Sequence, residues 1–104
     1  THDNDTLCGW YKVLDPEDLK LSQKYMNNAN TPKRQIHWDF IRLALASVAD
    51  LCIIPLQDYL GLGSEARINT PSTLGNNWRW RMTQGCLTKE LADQIRELTT
   101  LYGR

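Results

Sequence analysis

Six consecutive residues, Leu51-Cys52-Ile53-Ile54-Pro55-Leu56, carry no charge and no alternation of polar with apolar side chains. Such a run reads as a β-strand buried on both faces, because a strand with one wet face alternates. It must pair its N–H and C=O groups with neighbours, and each group left unpaired costs about 1–3 kcal/mol. No other segment of the 104 residues has matching character. The chain therefore reads as one part of a sheet whose other strands lie elsewhere. A helix leading into a buried strand, followed by a long loop, is one unit of an α/β repeat.

The helices around that run have local signals. Leu7, Trp10, Tyr11 and Leu14 recur at helical spacing. Asp15 followed by Pro16, Glu17 and Asp18 supplies a cap, a residue suited to the first helical position, and negative charge at the positive end of the dipole. This predicts a helix to about Met26, with 27–33 as a connection. Ile36, Phe40, Ile41, Leu43, Ala44, Leu45 and Val48 trace a wide stripe, predicting a helix from Gln35 to about Ala49. Residues 57–81 read as a long structured loop, and in α/β barrels such loops carry sites. Leu91, Ala92, Ile95, Leu98 and Leu101 line a last helix from Thr88 to Tyr102, stopped by Gly103.

Composition narrows the partners. Lysine plus arginine and aspartate plus glutamate number 12 each, so no global field draws in nucleic acid or an anionic membrane. No segment approaches the roughly 20 apolar residues that cross a bilayer. Cys8, Cys52 and Cys86 form no CxxC pair and read as reduced thiols of an intracellular protein. The start at Thr1, inside a polar motif and without methionine, reads as a chain with material missing upstream.

The opening Thr1-His2-Asp3-Asn4-Asp5-Thr6 concentrates an imidazole, two carboxylates and an amide. Adjacent His2 and Asp3 suit a ligand hydroxyl, and a carboxylate so placed stabilises positive charge at a sugar's anomeric carbon. The plainer alternative is a solvated turn in which Asp5 or Thr6 caps the first helix. A metal held by His2, Asp3 and Asp5, with His37 as a distant fourth ligand, is disfavoured because no second histidine stands at ligand spacing. In Asn77-Trp78-Arg79-Trp80-Arg81, the aromatics either line a saccharide or anchor a β-like stretch in the core while the arginines point away.

Taken in order, THDNDT…GW, IIPLQDYLGLGSEARINTP and NNWRWRM resemble the C-terminal region of glycoside hydrolase family 77, the 4-α-glucanotransferases. The resemblance implies an α/β fold: residues 1–104 as a single C-terminal portion of a (β/α)8 TIM barrel, helix-rich, with its last strand at about 51–56 and the upstream barrel absent. It implies transfer of an α-1,4-glucan segment to the 4-hydroxyl of another glucan through a covalent glycosyl-enzyme, with no cofactor and no metal. Asp3 matches the transition-state-stabilising aspartate, His2 its neighbour in the donor subsite, and Asn77 the loop bordering the glucan cleft. The family's nucleophile and acid/base have no match here, so the piece alone is expected to be inactive. Its partners are then malto-oligosaccharides and the missing part of the barrel, in the cytoplasm or a plastid. The family usually has Met at Ile68 and Gly at Ser72 and Asn76, so positive φ is expected at the last two. The alternative is a non-catalytic helical module that binds carbohydrate or protein.

Overall fold

The computed structural model describes all residues, Thr1–Arg104. Five α-helices follow one another: α1 (Leu7–Lys12), α2 (Pro16–Met26), α3 (Ile36–Ala46), α4 (Leu56–Tyr59) and α5 (Lys89–Leu101). Two 3-10 turns, Lys33–Gln35 and Ser64–Ala66, complete the regular structure. Helix α3 is the hub, since α1, α2, α4 and α5 all pack on it.

No β-strand is present, which corrects the expected α/β class and the buried strand at 51–56. The segment has no ladder partner, and Pro55 serves as the N-cap of α4. Nor is it covered on two faces. Cys52 and Ile54 pack on the core, whereas Leu51 and Ile53 are 74% and 79% exposed. An unbroken apolar run reports that both faces avoid water, not that this chain supplies the cover.

Helices with local signals sit where those signals put them. Asp15 Oδ1 accepts the Asp18 N–H at 2.9 Å, capping α2. Thr88 Oγ1 accepts the Leu91 N–H at 3.1 Å, capping α5. Helix α3 ends three residues before the expected Ala49, and the cause is remote in sequence. The Arg104 guanidinium donates to the carbonyls of Leu45 (2.7 Å), Ser47 (3.0 Å) and Ala49 (2.8 Å). It thus satisfies carbonyl groups at and beyond the α3 terminus and places positive charge at the negative end of the helix.

The core is thin. Ile41 and Leu45 from α3 meet Leu98 from α5, flanked by Leu7, Trp38, Cys52, Ile54, Tyr59 and Tyr102. Only 11 of 104 residues are buried, and the accessible surface is 7877 Å², where a monomer of this mass exposes about 6,000 Å². The radius of gyration, 14.5 Å, likewise exceeds the roughly 13 Å of a compact domain of this length. The molecule thus carries surface that an independent domain of its size would bury.

His37 of α3 is also buried, at 6% exposed. Gly61, at φ +65°, brings its turn so close that a Cβ there would lie 2.8 Å from the imidazole. Nδ1 of His37 has no hydrogen-bond partner. Burial pushes its pKa below the ordinary 6.5, partly opposed by Asp39. Below pH 6.5 the unfolded chain therefore binds a proton that the folded chain refuses, so stability falls as pH drops and is restored above that value. The expected result is a urea midpoint that declines between pH 7 and pH 5, with a smaller decline in His37→Phe. An equal decline in both would assign the effect to other groups.

Candidate functional site

The N-terminal turn is closed by the Asn4 N–H donating to the Thr1 carbonyl at 3.2 Å. Of the two caps the sequence allowed for α1, Thr6 is the one used: its Oγ1 accepts the Gly9 N–H at 3.1 Å. Asp5 instead joins two segments, accepting the Thr6 N–H (2.7 Å) and the Ser64 hydroxyl (2.8 Å). Gly9 is required here because a Cβ would collide with Ser64 Oγ.

Asp58 drew no notice in the sequence. It is 7% exposed, and its Oδ1 accepts the Leu7 N–H at 2.8 Å, so it caps α1 from 51 positions away. Burial pushes its carboxyl pKa up against the opposing Leu7 bond, and Asp5 raises it further. The Cys8 thiol is likewise pushed up, first by burial and then by Asp58 and Glu65, which makes it a poor nucleophile. Glu65 accepts the Gly63 N–H at 3.0 Å and shapes its own turn.

Asp3 is held from the far side of the chain. Asn69 Nδ2 donates to its Oδ1 at 2.7 Å, and His2 Nε2 lies 3.2 Å from the same oxygen. Arg67 donates through Nη2 to the Asp3 carbonyl (2.6 Å) and through Nε to the Asn69 carbonyl (3.0 Å). Main chain and side chain of Asp3 are thus fixed together, while Oδ2 carries no bond and the side chain is 47% exposed. A carboxylate in that state accepts from ligand hydroxyls and stabilises adjacent positive charge. His2 and Asp3 were legible as a pair; Arg67 and Asn69, which meet Asp3 only across 64 and 66 positions, were not.

Asn77 is placed differently. Its Oδ1 accepts the Thr70 N–H (2.9 Å), and its Nδ2 donates to Thr73 Oγ1 (3.0 Å) and the Thr73 carbonyl (3.4 Å), so the amide closes its own loop. Ser72 (φ +62°) and Asn76 (φ +58°), where glycine was expected, both occupy the left-handed region. Trp78 does so too, at φ +62°. For a bulky aromatic this is a true outlier, costing about 1–3 kcal/mol. The β-like stretch with core tryptophans is therefore corrected: Trp78 is 58% exposed, and its ring lies 5.0 Å from that of His2 at 41°. The Trp78 main-chain N–H donates to the Ile68 carbonyl at 2.7 Å.

A cleft of about 710 Å³ opens beside this cluster, lined by His2, Asn4, Asp5, Phe40, Arg67 and Trp80 among others. Asp3 and Asn77 are outside its lining. A lining that mixes polar and apolar side chains suits a ligand that presents both hydroxyls and carbon. No three His, Cys, Asp or Glu side chains converge as metal ligands, and no helix is long and apolar enough to cross a membrane.

Comparison with known proteins places these observations. The family model described as 4-alpha-glucanotransferase matches residues 1–88. The chain is 45% identical over 107 residues to the chloroplastic/amyloplastic 4-alpha-glucanotransferase of Arabidopsis thaliana, and 45% over 105 residues to the 4-alpha-glucanotransferase of Clostridium butyricum. These alignments take in 100% of the chain but only 18% and 21% of those proteins. The amylomaltase from Streptococcus agalactiae in complex with acarbose superimposes with a TM-score of 0.90 at 35% identity, again over 100% of this chain and 21% of that one. The chain thus spans about a fifth of the length of the proteins it matches.

Proposed function

The chain belongs to the 4-alpha-glucanotransferase family, and on that premise we propose that it is the C-terminal portion of the catalytic domain of a retaining transglycosylase acting on α-1,4-glucans. The observation that carries the reading is the Asp3 carboxylate, clamped through Oδ1 by Asn69 beside His2 and open at Oδ2. In a retaining reaction the donor's glycosidic bond breaks with positive charge growing at the anomeric carbon. Asp3 is the group that stabilises this charge and holds the distorted ring by its hydroxyls. His2, half-exposed on the cleft, bonds a neighbouring hydroxyl of the same sugar. Asn77 acts through the 70–77 loop it closes, which borders the glucan.

Nucleophile and acid/base come from the complementary part of the domain, so these residues alone turn over no substrate. The excess surface supports this reading over that of an independent binding module. The neighbour with acarbose bound supports a saccharide ligand. The chloroplastic/amyloplastic designation of the Arabidopsis relative supports an intracellular compartment.

The test is to join the chain to the complementary part of the Clostridium butyricum enzyme and supply maltotriose. Each transfer breaks one α-1,4 bond and forms another. Glucose and longer malto-oligosaccharides are therefore expected to accumulate with no net gain of reducing ends. A soluble, folded hybrid that transfers nothing beside an active parent enzyme would refute the proposal.

A further inference from the structure

We infer that Trp78 is a positioning residue for His2, and that the strained backbone at Trp78 serves this contact. The inference rests on the transglycosylase reading of His2 and Asp3.

Trp78 combines two features that burial does not explain. Its φ of +62° lies where glycine fits and a tryptophan does not. Within this chain Trp78 remains 58% exposed, so the segment's own packing does not offset the strain. What the conformation does achieve is local. The Trp78 N–H reaches the Ile68 carbonyl at 2.7 Å, fastening the end of the 70–78 loop to the Arg67–Asn69 segment that clamps Asp3. From that anchor the indole lies against the His2 imidazole, 5.0 Å between centroids.

His2 has little else to hold it. Within this chain its side chain is 56% exposed, and its polar contact is Asp3 Oδ1 at 3.2 Å. A histidine so exposed samples several rotamers unless a neighbour blocks them. The indole removes that freedom, leaving Nε2 directed at Asp3 and the ring edge in the cleft. Trp78 itself lies outside the cleft lining, whereas His2 is in it. That placement favours action through His2 over direct contact with the ligand.

Two substitutions separate ring from backbone. Trp78→Gly removes the indole and relieves the positive φ; Trp78→Phe keeps an aromatic ring and the strain. In the completed enzyme carrying labelled histidine, the His2 ring protons are expected upfield of a free histidine, to return to the free position in Trp78→Gly and to stay upfield in Trp78→Phe. Trp78→Gly should melt no lower than the parent, and a lower melting temperature would overturn the strain argument. In the completed enzyme, Trp78→Gly should lose about tenfold to a hundredfold in kcat with KM little changed, and Trp78→Phe should retain most of the rate. In a His2→Ala background the further loss from Trp78→Gly should vanish, because coupled residues are non-additive. An undiminished loss there, or a rise in KM alone, would assign Trp78 to direct sugar contact and overturn the inference. His2 proton shifts unaffected by Trp78→Gly would overturn it without touching the proposed function. A completed parent without transfer would refute the proposed function while the shifts still decide the contact.

Discussion

With Asp3 replaced by asparagine, the completed enzyme is expected to lose about three orders of magnitude in kcat while melting where the parent does. On the proposed role of Asp3, the size follows from removing a group aimed at charge that develops in the transition state, which costs about 10²–10³-fold for one neutral donor and more for a full charge. The unchanged melt follows from geometry. Arg67 bonds the Asp3 main-chain carbonyl, which the substitution leaves alone, and an asparagine oxygen still accepts from Asn69. Initial rates on maltotriose, set beside a thermal melt, check both halves. A variant within tenfold of the parent rate would remove Asp3 from the mechanism. A variant that loses its melting transition would show the residue to be structural.

Replacing Ile41 with alanine should cost about 3 kcal/mol and lower the melting temperature by about 15 °C. Ile41 is 1% exposed and the one large side chain that is completely buried. It joins Leu45 on its own helix to Leu98 on α5. With only six buried hydrophobic residues in the whole chain, the cavity has few neighbours able to collapse into it. Circular dichroism at 222 nm during heating measures the shift, and Val48→Ala, at a fully exposed site, is the control. A loss below 1 kcal/mol at Ile41 would mean that the α3–α5 packing is not the core.

What the sequence disclosed about the fold was whatever neighbours in the chain decide. Asp15 with Pro16, and Thr88, announce helix starts because a cap and the N–H it serves are three residues apart. The end of α3 escaped notice because Arg104 lies 59 positions from Leu45. The 51–56 segment was misread for a different reason: apolar character states a preference for cover, while strand geometry needs partners that pattern alone does not supply.

The site divides along the same line. Adjacent His2 and Asp3 were visible because chemistry-bearing residues stood side by side. Ser72 and Asn76 were visible as positions where glycine is usual, and both do adopt positive φ. Arg67 and Asn69 were not, since their contacts with Asp3 span 64 and 66 positions. Neither was Trp78, because nothing local requires a tryptophan to turn left-handed.

The open stretch before α4 has a practical consequence. None of the main-chain N–H groups from Leu51 to Ile54 bonds within the chain, and two of the side chains beside them are bare. Prepared alone at high concentration, such a polypeptide is expected to adhere to its own copies along that stretch. Co-expression with the complementary part of the enzyme is expected to cover the stretch during synthesis, and regained transfer activity would then report that the two parts had met, as in a split reporter.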